Sequence, residues 1–297
     1  MGRKVSIAVC QFIIRPIADF GEFAARVRSL LDEAVGADLV VFPELFTLEL
    51  FTTFPGWQNA PSSELTRVDE YTEAYRDLFV AEAAERRQHI AGGSHLMRCG
   101  EVYRNVAHLF GPQGLIHTHL KTHIFPGEME WSSTEEGDSL EVVELPFAKV
   151  GFNICSEAEI PECATSLAQQ GVEIILGPSY TLSEYGFWRV RHCAQARCVE
   201  NQVYFVHCCT GGQHATTELI LGGWARSSIL TPCDAPWNPD GVVAQAERNK
   251  EMTVLGEVDI DLIYQNRTSG TAPTYNLRRR RADVYAAWPS HVPRGRV

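Results

Sequence analysis

The chain has no long apolar run and no segment typical of secretion. None of its 297 residues lies in an uninterrupted stretch of the roughly 20 apolar residues that a membrane-spanning helix needs. Its first residues, MGRKVSIAVCQF, contain neither the apolar core nor the small-residue cleavage site of a signal peptide. These absences predict a protein that has no membrane partner and stays in the cytoplasm.

Cationic residues are too few and too scattered for a nucleic-acid partner. Lys and Arg number 26 against 37 Asp and Glu, which gives a net charge of −11. Contacts to phosphates need clustered Lys and Arg. The one basic run, Arg278 to Arg281, is more typical of a solvated surface or a subunit contact. We therefore expect no nucleic acid partner.

Cysteines at the CxxC spacing typical of metal or redox sites are also missing. The nine cysteines show no CxxC spacing, so we expect reduced thiols that are mostly buried as small hydrophobic side chains. His117, His119 and His123 resemble a metal cluster, but strand packing explains their spacing and no carboxylate lies at ligand spacing. The sequence therefore predicts neither a metal nor a cofactor.

Predicted strands and helices alternate along the whole chain. Buried strands such as Asp38 to Phe42 and Val172 to Leu176 are separated by helices such as Asp19 to Val35 and Glu184 to Glu200. This interleaving is typical of an α/β protein, and because no linker interrupts it we expect one domain over residues 1–297. Predicted hairpins near residues 111 and 146 indicate mixed sheets.

Three reactive residues each follow directly on a predicted buried strand. Glu44 lies in VVFPELF, where desolvation raises a carboxyl pKa and makes the group a proton acceptor. Lys121 lies in HLKTHIF, where a fixed ammonium could stabilise an oxyanion. Cys155 lies in KVGFNICSEAEIPE, at a strand-to-helix elbow that presents a thiol. Each residue alone is also explained by an ordinary surface or core position.

Together the three segments resemble the signature of the nitrilase superfamily of carbon–nitrogen hydrolases. Its members carry a glutamate after a strand–Pro motif, a lysine in a Lys-x-His-like motif and a cysteine in a Gly-x-x-x-Cys…Pro-Glu motif, in the order found here. AQARCVENQ, residues 194–202, is similar to the family's Arg-Ala-x-x-Glu-Asn helix end. The likeness is to the amidase and carbamoylase branch.

The resemblance implies a four-layer α-β-β-α sandwich with two mixed sheets, which forms a homodimer or a higher homo-oligomer. It also implies that Glu44 takes the thiol proton of Cys155, which attacks the carbon of a small amide, carbamoyl or nitrile substrate. Ammonia leaves, and water activated by Glu44 hydrolyses the thioester. Lys121 and the backbone N–H of Ser156 bind the oxyanion.

The resemblance further suggests residues that orient or bind the substrate. Many members use a second glutamate after the lysine; Glu128 and Glu130 are both candidates, and counting back from Gly137-Asp138 favours Glu130. Ser179 and Tyr180 fall where relatives line the pocket, so we predict that they bind substrate together with Ser156. The residues from 187 to 189 either line the pocket too or pack within a helix.

Ala158 and Glu159 stand where carbamoylases often place an arginine that binds a carboxylate. If these side chains face the pocket, a neutral or cationic substrate is preferred over a carboxylate. Alternatively, Glu159 only begins a helix at its positive end. Two other functions stay open: a nitrilase that uses the same three residues, and a non-catalytic scaffold with the same fold.

Overall fold

The computed structural model describes residues 2–129, 134–216 and 219–286. Its strands and helices follow one another in this order: β1 (Lys4–Ile14), α1 (Phe20–Glu33), β2 (Leu39–Val41), α2 (Thr72–Arg86), β3 (His89–Cys99), β4 (Val102–Gly111), β5 (Gly114–Leu120), α3 (Pro126–Met129), β6 (Val142–Glu144), β7 (Lys149–Phe152), α4 (Pro161–Gln169), β8 (Ile174–Tyr180), α5 (Glu184–Asn201), β9 (Tyr204–Thr216), β10 (Leu219–Gly223), β11 (Ser228–Leu230), β12 (Val242–Gln245), β13 (Met252–Asp259), α6 (Ile260–Ser269), α7 (Thr274–Arg280) and α8 (Ala282–Ala286). Short 3-10 helices cover Phe46–Thr53, Trp57–Asn59, Ser62–Tyr71 and Cys155–Glu159.

The strands form two mixed sheets. The first has the order β5-β4-β3-β2-β1-β13, in which β1, β2 and β3 are parallel and the outer pairs are antiparallel. The second has the order β6-β7-β8-β9-β11-β12, in which β7, β8 and β9 are parallel, and β10 also pairs with β9. The end of β1, from Phe12 to Ile14, pairs with β9 and joins the two sheets.

Alternation along β1 shows how the layers stack. Val5, Ile7 and Val9 belong to the hydrophobic core shared with the second sheet, whereas Cys10 and Phe12 pack with α1 and α2. Successive side chains of a strand point to opposite faces, so both faces of the first sheet are covered. Helices α4 and α5 cover the second sheet. The predicted four-layer α-β-β-α sandwich with two mixed sheets is confirmed.

The segment between β2 and α2 was predicted incompletely. The sequence predicts a helix from Val68 to Arg87, but α2 begins at Thr72 and is preceded by the 3-10 helices. A 3-10 helix has three residues per turn and rarely extends far, so it leaves no 3.6-residue periodicity to detect.

Within the described ranges, no helix combines the length and apolar character needed to cross a bilayer.

Aromatic side chains hold the loop that carries Glu44. Phe42 and Phe46 flank this loop, and both pack against Phe79 of α2, with ring centroids 5.2 Å and 6.3 Å from it. Phe110 stacks on Phe79, with ring centroids 5.6 Å apart. These four rings are fully buried, so the loop after β2 rests on the tightly packed layer between α2 and the first sheet.

Replacing Phe79 tests how much this packing contributes to stability. We expect Phe79→Ala to lower the free energy of unfolding by about 3–5 kcal/mol, because the cavity left among the rings cannot close fully. Urea denaturation followed by circular dichroism measures the change. Val80→Ala on the same helix is the matched control, because Val80 is exposed, and it should change stability by less than about 0.5 kcal/mol. Similar midpoints for the two variants would contradict this role.

Candidate active site

Four strand ends place polar groups around one cavity. Glu44 lies shortly after β2 and Lys121 directly after β5. Two residues separate the end of β7 from Cys155, and Tyr180 is the last residue of β8. All four line a cavity of about 330 Å³. The structure therefore brings together the three residues that the sequence singled out, although up to 111 positions separate them along the chain (155 − 44).

Glu44 is a buried carboxylate that accepts hydrogen bonds from three donors. Its Oε1 accepts from Lys121 Nζ at 2.7 Å and from Asn105 Nδ2 at 2.9 Å. Its Oε2 accepts from the backbone N–H of Tyr180 at 2.6 Å. Burial raises the pKa of Glu44 above its ordinary value, and the neighbouring Lys121 ammonium offsets only part of that rise. The carboxylate is therefore fixed in orientation and able to accept a proton.

Lys121 is buried between two carboxylates. Its ammonium donates to Glu44 and, at 2.5 Å, to Glu128 Oε2, and its side chain is only 1% exposed. Burial alone lowers the pKa of a lysine, but the two negative charges outweigh burial here and raise the pKa of Lys121. Lys121 therefore stays protonated and acts as a fixed positive charge rather than as a base.

Asn105 and Glu128 complete this charged cluster. Asn105, on β4, donates from Nδ2 both to Glu44 and to Glu128 Oε1, the latter at 2.8 Å. Glu128, on α3, also accepts from the backbone N–H of Phe125 at 2.9 Å. Glu128 is thus the glutamate that contacts the lysine, whereas Glu130, which the sequence favoured, lies outside the described residues.

Cys155 stands at a strained elbow. Its φ of 45° is in the left-handed region, which residues other than glycine seldom adopt. Its Sγ donates to the carbonyl of Tyr180 at 3.7 Å, so one residue contacts both Cys155 and Glu44 through its backbone. Burial and the negative charge of Glu44 raise the pKa of Cys155 well above that of a free thiol, although Lys121 partly opposes them. The resting thiol is therefore neutral.

A third buried carboxylate, Glu157, connects the elbow to the segment that carries Lys121. It accepts from the backbone N–H groups of Ile154 at 2.5 Å and Thr122 at 2.7 Å, and both of its oxygens lie 3.0 Å from His119 Nε2. Burial alone would raise the pKa of Glu157, but His119 and these donors together lower it. Ile154 precedes Cys155, and Thr122 follows Lys121. By accepting hydrogen bonds from both backbones, the Glu157 carboxylate holds the Cys155 segment next to the Lys121 segment.

The other predicted binding residues divide between the cavity and the core. Ser156 and Tyr180 line the cavity, and the Ser156 hydroxyl donates to the backbone carbonyl of His123. Ser179 is buried within β8, donates to the Gly177 carbonyl at 3.3 Å and is absent from the cavity lining. Neighbouring residues of a strand face opposite sides, so Ser179 and Tyr180 cannot both face the cavity.

Of the residues left open by the sequence, Glu159 and Arg189 line the cavity. Ala158 and Phe187 are buried in the hydrophobic core instead. The three histidines considered as metal ligands serve other contacts; His119, for example, stacks on Phe152. In the ranges that the structure describes, no group of three His, Cys, Asp or Glu side chains is placed to hold a metal ion.

Two residues of the site were missed by the sequence analysis, namely Asn105 and Glu157. Asn105 is a buried amide on a largely apolar strand, and such a residue needs a polar partner, which is a weak signal of a site. The sequence gives no local signal that singles out Glu157. Its partner His119 lies 38 positions away, so their contact becomes evident only in the folded chain.

Comparison with known proteins identifies the same family. Residues 6–268 match the family model described as carbon–nitrogen hydrolase. A "Probable hydrolase YhcX" of Bacillus subtilis is 38% identical over 95% of this chain, which spans only 54% of that relative's length. The "Omega-amidase NIT2-A" of Xenopus laevis is 30% identical, with 95% of this chain and 97% of the relative covered.

Solved structures share the fold at lower sequence identity. A carbon–nitrogen hydrolase from Helicobacter pylori G27 superimposes with a TM-score of 0.78 at 20% identity, covering 98% of this chain and 99% of that one. A mutant amidase from Nesterenkonia sp. AN1, in which the acetamide moiety of fluoroacetamide is covalently added at the active site cysteine, gives 0.73 at 16% identity, covering 96% and 97%. The extent of the family match and the sequence identity to the omega-amidase together show that this chain belongs to the carbon–nitrogen hydrolase family.

Proposed function

We propose that the protein hydrolyses the C–N bond of a small amide or carbamoyl compound through a thioester on Cys155, releasing ammonia. The observation that carries this proposal is the buried Glu44–Lys121 pair, which lines the same cavity as the Cys155 thiol. The amidases among the relatives support an amide as the substrate. As predicted from the sequence, we further propose that the protein acts in the cytoplasm as a homodimer or higher homo-oligomer.

In the first half of the reaction, Glu44 removes the thiol proton as Cys155 Sγ attacks the amide carbon. The new C–S bond gives a tetrahedral oxyanion, which the Lys121 ammonium and the backbone N–H of Ser156 stabilise. One such donor contributes about 2.7–4 kcal/mol to the transition state. Protonated Glu44 then gives its proton to the leaving nitrogen, the C–N bond breaks, and ammonia departs.

In the second half, water replaces ammonia as the partner of Glu44. The carboxylate takes a proton from this water, which attacks the thioester carbon and again forms an oxyanion beside Lys121. The C–S bond breaks, the acid is released, and the thiolate recovers the proton from Glu44. The raised pKa of Glu44 suits both directions of transfer, because the same group must accept and release a proton.

Glu128 and Asn105 act on this chemistry through Lys121 and Glu44. Glu128 takes the role assigned from sequence to a second glutamate, since its contact holds the Lys121 ammonium in place. Asn105 fixes Glu44 and Glu128 relative to each other by bonding to both. We infer that both are positioning residues, which keep the base and the oxyanion donor aligned.

A panel of small amides and nitriles separates this proposal from its alternatives. Ammonia released from amides alone would support the amidase, whereas release from nitriles would support a nitrilase that uses the same residues. No release from any compound, with Cys155 no more reactive than the other thiols, would favour a non-catalytic scaffold.

Covalent labelling tests the nucleophile. We expect fluoroacetamide to add one acetamide group to Cys155, because the reagent carries the amide that the site recognises. Intact and peptide mass spectrometry locate the label. Cys155→Ala should prevent this labelling and lower kcat more than about 10³-fold, while Cys233→Ala, at an exposed thiol, should change neither result. Preferential labelling of another cysteine would contradict the assignment.

The pH dependence of kcat/KM tests the base. Only ionised Glu44 accepts a proton, so activity should fall as pH drops through its pKa, which burial places above the ordinary value of about 4.3. The pKa values of Lys121 and Cys155 are both raised, so no loss is expected up to about pH 9. Glu44→Gln should lower kcat about 10²–10⁴-fold and abolish the acid limb. An unchanged acid limb in this variant would exclude Glu44 as the base.

Glu157→Gln tests the link between the two segments. The amide replaces one acceptor oxygen by a donor, so a buried N–H loses its partner at a cost of about 1–3 kcal/mol. Because the elbow then shifts, kcat should fall about 10–100-fold with little change in KM, at a temperature where the variant is fully folded.

The pH dependence of stability supplies a readout for Glu157 that does not depend on activity. The lowered pKa of Glu157 stabilises the folded state above the ordinary carboxyl pKa of about 4.3, and this stabilisation is lost as pH falls through the lowered value. Thermal melts between pH 3 and 7 should show a weaker pH dependence in Glu157→Gln than in wild type. Glu162→Gln, at an exposed position, is the control. Equal pH dependence in both variants would contradict the proposed role.

A further inference from the structure

An ion pair lies in the cavity that contains Cys155. Glu159 Oε2 accepts from Arg189 Nε at 2.7 Å, and both side chains line the cavity. Glu159 ends the 3-10 helix that begins at Cys155, and Arg189 lies on α5. Their side chains are 26% and 54% exposed, so they are accessible to a molecule that enters. The reaction proposed above uses neither residue.

Glu159 lies only four residues from Cys155 along one 3-10 helix. A 3-10 helix rises about 2.0 Å per residue, so the four residues from Cys155 to Glu159 separate their Cα atoms by about 8 Å. A chain of a few atoms spans such a distance. The cavity also presents several apolar side chains that suit a methylene chain: Leu45, Leu65, Phe125, Leu182 and Val190.

Arg189 retains donors for a further partner. Its guanidinium carries five N–H groups, and only Nε has a hydrogen-bond partner among the residues that the structure describes. The two remaining nitrogens can bind a carboxylate in a bidentate manner. Glu159 likewise has a second oxygen, which can accept a hydrogen bond from an ammonium group.

We infer that Glu159 and Arg189 are specificity residues for an amide whose far end is a zwitterion, namely the side-chain amide of an α-amino acid. The ammonium group of the substrate binds Glu159 and its carboxylate binds Arg189, while the amide carbon lies at Cys155. This inference rests on the proposed function. It also revises the sequence-based expectation of a neutral or cationic substrate, which took no account of Arg189.

Charge complementarity favours the zwitterion over a singly charged substrate. A substrate with only a carboxylate binds Arg189 but is repelled by Glu159. A substrate with only an ammonium group binds Glu159 but is repelled by Arg189. A zwitterion supplies a partner to each member of the pair and leaves no charge unpaired. A neutral amide gains nothing from either residue.

Four amides of matched length test the inference in the full-length enzyme. L-Glutamine carries both charges, glutaric acid monoamide only the carboxylate, 4-aminobutanamide only the ammonium, and butyramide neither. We expect kcat/KM for glutamine to exceed that for butyramide at least about tenfold, since hydrogen bonds between charged groups are strong. Glu159→Gln and Arg189→Gln should each lower this ratio about tenfold, whereas Glu162→Gln should preserve it.

Binding to Cys155→Ala, measured by calorimetry, gives the same comparison without turnover, and glutamine should bind more tightly than butyramide. Hydrolysis of butyramide with no preference for glutamine, or ratios unchanged in both variants, would overturn this inference and leave the proposed function intact. If none of the four amides releases ammonia but glutamine still binds preferentially, the proposed chemistry fails and the recognition of a zwitterion stands.

Discussion

The site depends on one constraint, which is that the ammonium of Lys121 must be neutralised although its side chain is only 1% exposed to solvent. A buried unpaired charge is very costly, and the structure meets this cost with two carboxylates, Glu44 and Glu128, that Asn105 holds in register. Two negative charges around one positive charge raise the pKa of Lys121 and keep it protonated, whereas burial, which Lys121 opposes only in part, raises the pKa of Glu44. The same arrangement that stabilises the lysine therefore suits Glu44 and Lys121 to the roles that we propose for them, as base and as oxyanion donor.

The fold also fixes Cys155, the proposed nucleophile, against this cluster. The backbone of Tyr180 contacts Glu44 through its N–H and Cys155 through its carbonyl, and Glu157 joins the elbow to the strand of Lys121. The contact of Tyr180 with Glu44 and that of Glu157 with Thr122 link segments that follow different sheets of the sandwich. We infer that the strained φ of Cys155 persists because the surrounding contacts determine it from both sides.

The resemblance to a known family predicts the layers correctly, and it also predicts that Glu44, Lys121 and Cys155 come together, as they do in the lining of one cavity. The position of each residue after an apolar strand would not have sufficed, because it left an ordinary surface or core role open. It predicts supporting contacts poorly, since Asn105 and Glu44 are 61 positions apart and no local pattern links them. The sequence could choose between Glu128 and Glu130 only by alignment with a motif. The contact of Glu128 with Lys121 instead depends on the helical turn of α3. Glu159 shows the same limit, because its effect depends on Arg189, 30 positions away on another helix.

The most direct test is a crystal structure of the enzyme carrying an acyl group or acetamide adduct on Cys155. The account predicts that the carbonyl oxygen of a thioester lies about 2.7–3.1 Å from both Lys121 Nζ and the backbone N of Ser156, with Glu44 beside the sulfur. A carbonyl oxygen directed away from Lys121, or a sulfur out of reach of Glu44, would contradict it.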